Sequence, residues 1–127
     1  MSASVQVIND WIRQNHLPVS LPWAGPRASL TFDAVRLHLQ LLAGGMVMAE
    51  ARICDLPAAP TERDRVLSRL TQISLARMRD NRAVLSVDVD GAAAWLQRRI
   101  GQSFQLPELD EAVEAMINEV ELWRSAL

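Results

Sequence analysis

Apolar residues recur along this chain of 127 residues first at a helical period, then at a period of two, and then through the same two patterns again. In Ser4–Gln14, Val5, Ile8 and Ile12 fall three and four residues apart, with Val7 and Trp11 widening the stripe. That spacing predicts an amphipathic helix, capped by Ser2 or Ser4 and ended by Pro18. Val19–Ala28 carries Pro22, Gly25 and Pro26 among apolar residues and reads as an irregular connection. From Ser29 the pattern alternates. Leu30 and Phe32, then Val35, Leu37, Leu39 and Leu41, are interleaved with polar residues such as Arg36, His38 and Gln40, which predicts half-buried strands.

Gly44-Gly45 marks a hairpin, because tight turns need positive φ and glycine adopts it freely. The return strand, to about Cys54, shows Val47, Ala49, Ala51 and Ile53 on one face. A two-residue loop would set Leu39 opposite Glu50. A three-residue loop, Gly44–Met46, pairs Leu41 with Ala49 and Leu37 with Ile53, and is the register expected here. A three-stranded meander follows.

Asp55–Pro60 stops the sheet with two prolines. Thr61 is the expected N-cap of the next helix, with Asp64 as the acidic partner of a capping box. This helix should run to about Asp80, with Val66, Leu70, Ile73 and Arg77 on one stripe. Ala83, Leu85, Val87 and Val89 then alternate with Val84, Ser86, Asp88 and Asp90, Asp90-Gly91 turns, and Ala94–Ile100 returns. Pro107 opens a last helix with Leu109, Val113, Met116, Ile117, Val120 and Trp123 on one face. Glu108, Asp110, Glu111, Glu114, Glu119 and Glu121 occupy the other. The order α-β-β-β-α-β-β-α predicts one α+β domain over residues 1–127, a twisted antiparallel sheet flanked by helices.

Composition narrows the class. Half the residues are apolar, which excludes a disordered tail. Thirteen basic residues, all arginine, stand against fifteen acidic ones, and a net charge of −2 gives no basis for a nucleic-acid partner. The longest uncharged stretches, Gln14–Pro26 and Leu37–Ala49, are interrupted by polar, proline or glycine residues and are too short to span a bilayer. The first ten residues lack the basic and apolar regions of a secretion signal. The single cysteine, Cys54, excludes an internal disulfide and fits a reducing compartment, so a cytoplasmic protein is expected.

Candidates for chemistry are few. His16 sits at a helix end. In the expected register His38 faces Arg52 and is only diagonal to Cys54, which is no nucleophile–base pair. Asp88, Asp90 and Gly91 echo part of a calcium loop, but no carboxylate follows at the required spacing, and a hairpin turn explains them. Phosphate loops, dinucleotide glycine patterns and zinc spacings are absent. The chain therefore reads as a non-enzyme with neither metal nor cofactor.

The segment LPELDEAVEAMINEVELWRSAL, an acidic helix with an apolar stripe that closes near Trp123-Arg124, resembles the ending of the class I type III secretion chaperones, the CesT-like or Tir chaperone family. RVLSRLTQISLARMRDN, which ends at Asn81, is similar to that family's leucine-rich central helix, and ASLTFDAVRLHLQLL to its first two strands. The resemblance implies a homodimeric chaperone in the cytoplasm of a Gram-negative bacterium that uses no ATP. It would bind the N-terminal non-globular segment of a secreted effector, by strand addition with side chains entering apolar pockets, and deliver it to the secretion apparatus. The alternative on the same fold is a regulatory protein that sequesters a partner within the secretion circuit.

On that reading Trp11, Val19, Leu21, Trp23, Phe32, Leu37 and Leu39 are the candidate effector-binding residues. For Trp11, packing on the chain's own sheet stays open. Leu75 lies off the Leu70–Ile73 stripe, so the central helix needs a second burial surface, which a two-fold partner would supply. By the resemblance the central helix and the strand after it make the dimer interface, so Leu70, Ile73, Leu75, Met78, Leu85 and Val87 are the residues expected there. The acidic face of the last helix is a surface that a secretion ATPase or sorting platform could use. The arginines of the central helix could pair with that face or with acidic cargo.

Overall fold

Two alternating stretches and three helical ones fold as the patterns require, in a computed structural model that describes residues 3–18, 27–79, 82–101 and 103–127. The elements are α1 (Ala3–Gln14), β1 (Arg27–Phe32), β2 (Val35–Leu41), β3 (Val47–Asp55), α2 (Pro60–Arg77), β4 (Val84–Val87), β5 (Ala93–Gly101) and α3 (Leu106–Ala126). The strands form one five-stranded antiparallel sheet in the order β1-β2-β3-β5-β4. This is the expected α+β architecture, with β1 and β4 at the two edges.

One face of the sheet carries Leu30, Val35, Leu37, Leu39, Val47, Ala49, Ala51 and Leu96, all buried. Ile8 and Ile12 of α1, Leu70 and Ile73 of α2, and Leu109, Met116, Val120 and Trp123 of α3 join them in a single core. All three helices thus cover one face, and the other holds Ser29, His38, Glu50, Trp95 and Gln97 by strand alternation.

α1 ends in a Schellman motif: the Leu17 N–H donates to Ile12 O at 3.0 Å and the His16 N–H to Arg13 O at 3.3 Å, with His16 at φ 53°. His16 is therefore a left-handed helix cap. At the β4–β5 turn the Asp88 carboxylate accepts from the Ala92 and Ala93 N–H groups and from the Trp95 indole. These bonds, the one from Ala93 foremost, hold its pKa below the usual carboxylate range. Gly91 sits at φ +68°, which glycine adopts without strain, and a Cβ there would push aside the end of the Arg63 side chain, 2.7 Å away, so the turn favours glycine. The hairpin reading of Asp88, Asp90 and Gly91 holds.

Three local expectations are corrected. The β2–β3 register pairs Leu41 with Val47, Leu39 with Ala49 and Leu37 with Ala51, a shift of two residues from the expected pairing. Leu42 donates to Met46 O at 2.7 Å and closes a five-residue loop. Gly44 and Gly45 both take positive φ there, and the Ser4 hydroxyl donates to Gly45 O. A shift of two preserves every face, so the apolar pattern could not reveal it, but it moves His38 opposite Glu50 instead of Arg52. The N-cap of α2 is Ala59 and not Thr61, because Pro60 starts the helix with its φ already fixed and no N–H to satisfy. Finally, Glu119 is buried and does not belong to the solvated face of α3.

Candidate functional site: an apolar groove beside a free strand edge

The Trp11 indole N–H donates to Asp110 Oδ1 at 3.2 Å, and its ring lies 6.2 Å from that of Phe32 on β1. These contacts lock α1, β1 and α3 around a groove of about 310 Å³ lined by Trp11, Leu17, Phe32, Val113, Glu114 and Ile117. Trp11 is only 3% exposed and belongs to the core, so it backs the groove and is corrected from a binding to a core residue, while Phe32 is half-buried and accessible. β1 is an edge strand, so one side of its backbone lacks a strand partner among the described residues. An apolar groove next to an open edge offers side-chain pockets and main-chain hydrogen bonds together, the two requirements for strand addition.

The other expected binding residues fall elsewhere. Leu37 and Leu39 are fully buried under the helices, so their side chains offer nothing to a partner, and they are corrected from binding to core residues. Val19, Leu21 and Trp23 lie outside the described residues. Val113 and Ile117 were legible as part of the α3 stripe, but nothing in the sequence marked Ile117 as its accessible margin and Val113 as buried.

The opposite edge divides the expected dimer residues. Leu70 and Ile73 are buried in the chain's own core and are corrected: a side chain already out of water gains nothing from a second copy. Leu75 and Met78 are 65% and 69% exposed on α2. Val84 and Val87 on the adjoining β4 are exposed as well, and Leu85 is half-buried. Val84 was missed because it alternates with Leu85 and Val87. At an edge strand with one neighbour, the off-face residue is bared too.

On the sheet's open face Ser29 Oγ lies 2.7 Å from His38 Nδ1, and Glu50 pairs with Arg27 at 3.2 Å and accepts from Gln97. Burial, then Arg27 and Arg36, lower the His38 pKa against the pull of Glu50. Among the described residues nothing is bonded to Nε2 to orient the ring, so the pair lacks the third member of a catalytic set. Burial raises the Cys54 thiol pKa, which keeps it protonated. Among the described residues no three His, Cys, Asp or Glu side chains are placed to hold a metal, and no helix is long and apolar enough to cross a membrane.

Trp123-Arg124 proves architectural. Trp123 fills the core and donates to Glu119 at 3.1 Å. Arg124 donates to Ala34 O, Arg52 O and Ile53 O, at 2.8, 2.8 and 3.3 Å, tying the end of α3 to the β1–β2 turn and to the β3 register shift at Ile53.

Among the described residues the sheet is backed by helices on one side, unpaired at both edges and flanked at each by accessible apolar residues. The chain belongs to the Tir chaperone protein (CesT) family, whose sequence pattern matches residues 12–124. No curated protein sequence matches it. Solved structures share the fold. A chain in the crystal structure of the ExsC–ExsE complex has a TM-score of 0.74 at 19% identity, over 98% of this chain and 96% of that one. A chain of the ExoU–SpcU complex from the type III secretion system of Pseudomonas aeruginosa has a TM-score of 0.70 at 13% identity, over 94% and 97%. The HopA1–SchA chaperone–effector complex gives 0.69 at 13%, over 94% and 91%.

Proposed function

We propose that this protein is a type III secretion chaperone that binds the N-terminal non-globular segment of a cognate effector and keeps it soluble and extended for export. The observation that carries the reading is the groove of Trp11, Leu17, Phe32, Val113 and Ile117 beside the free β1 edge, in a chain of the CesT family. An effector strand lies along β1 with alternate side chains in that groove, and the sequence Val19–Trp23, between α1 and β1 in the chain, adds apolar contacts. The work is binding and involves no covalent step. Two copies associate through Leu75, Met78, Val84, Leu85 and Val87 in the cytoplasm of a Gram-negative bacterium. The exposed carboxylates of α3 face a secretion ATPase or sorting platform.

The test is capture by the tagged protein in its own bacterium, followed by size-exclusion chromatography with light scattering. A dimer holding one large secreted protein by its N-terminal region supports the reading, and a monomer that captures nothing overturns it. Capture of a transcriptional activator or anti-activator would instead establish a regulator built on the same fold.

A further inference from the structure

Arg82, Arg98 and Arg99 gather where β5 approaches the start of α3, far along the sheet from β1. They line a cleft of about 540 Å³ with Glu108 and Glu111 on its opposite wall. Arg98 is half-buried, and its Nε is shielded from solvent with no hydrogen-bond partner among the described residues. A shielded guanidinium N–H without an acceptor is costly, so the Arg98 head group is under-paired as it stands. The third carboxylate at the cleft, Glu119, is already engaged by Arg77. Among the described residues, three arginines against the two glutamates that Arg77 does not engage leave an excess of one positive charge. That excess matches a single carboxylate, whereas a phosphate dianion or a nucleic-acid backbone would carry further negative charge onto Glu108 and Glu111. The same three arginines also line a second depression of about 440 Å³ that includes Met48 and Val84, so apolar surface adjoins the cationic spot.

We propose that the Arg82–Arg98–Arg99 cleft receives an aspartate or glutamate side chain of the bound polypeptide, with an apolar neighbour of that residue resting on Met48. The inference rests on the chaperone reading and adds to it a second point of recognition, selective for acid. Burial first and then the Arg82 charge lower the Arg98 pKa against the opposing pull of Glu111.

The test is a selection of displayed random dodecapeptides on the intact protein, on Arg98→Gln, and on Arg82→Gln in case the first variant folds poorly, with circular dichroism as the folding check. The expected result is a consensus joining apolar residues to one Asp or Glu. Arg98→Gln or Arg82→Gln should abolish the acidic preference while retaining the apolar one, with about tenfold weaker binding of the selected acidic peptide. An apolar consensus without acid, or an acidic preference unchanged in both variants, overturns the inference and leaves the chaperone reading standing. Absence of any consensus overturns both. A change in self-association of Arg98→Gln in place of peptide preference would assign the cleft to a second copy and overturn it as well.

Discussion

Arg77 of α2 grips Glu119 of α3 with two bonds, Nε to Oε1 at 2.8 Å and Nη2 to Oε2 at 3.0 Å, while Glu119 Oε1 also accepts from the Trp123 indole. The carboxylate is 8% exposed, and the guanidinium closes over it from the solvent side. This pairing fixes α2 against α3 and so determines how the exposed Leu75 and Met78 are presented.

Removing one member of a buried pair strands the other. Arg77→Ala should lower unfolding free energy by about 2–4 kcal/mol, and Glu119→Gln by less because the indole bond survives. Urea melts followed by circular dichroism measure both. A loss under about 1 kcal/mol for Arg77→Ala would mean that the carboxylate finds water.

Arg124 serves three carbonyls with one planar fork, a geometry that an ammonium group cannot copy. Arg124→Lys should therefore lose most of what Arg124→Ala loses, about 1–3 kcal/mol. Equal stability of Arg124→Lys and the natural protein would show that charge alone suffices.

The self-association surface separates from the core by position along one helix. Leu75→Glu with Met78→Glu should yield a folded monomer in light scattering, whereas Leu70→Asp should unfold the chain, since it buries an unpaired charge where a leucine was fully buried. A double variant that remains dimeric would remove α2 from the interface.

His38 titrates below its ordinary value of about 6.5 in the folded protein, because burial and the arginines disfavour its cation. Above pH 6.5 both states are neutral and His38 is without effect. As pH falls through 6.5 toward the lowered folded value, the unfolded chain takes up the proton first and stability declines. His38→Gln should flatten urea midpoints between pH 7.5 and 5, and an unchanged slope would assign that dependence to other groups.

Much of this was legible in the chain because faces are set by period. Leu30, Leu37, Ala49 and Leu96 announce the core through alternation alone, and the five strands with their three helices appear in the expected order. What period cannot carry is where along a strand two partners meet. The Gly44-Gly45 loop is longer than its two glycines suggest, and a slip of two leaves every face intact. Nor does period say what covers a face. Leu70 and Leu75 look alike in sequence, yet one is buried in the common core and nothing described lies over the other. Glu119 sat among carboxylates that share its helix face by composition, and only the approach of Arg77 from a distant element distinguishes it.

The positions of β1 and β4 at opposite margins impose a length. Neighbouring strands stand about 4.8 Å apart, so the two margins of the five-stranded sheet are separated by about 19 Å. Two copies abutting at β4 would set their β1 strands roughly 40 Å apart. A stretched polypeptide advances about 3.3 Å per residue, so one that lies on both β1 strands needs on the order of a dozen residues merely to cross between them. A shorter tenant would leave half the assembly vacant, and the pair of sheets would then act as a ruler, filled only by polypeptides whose unstructured stretch is long enough to span it.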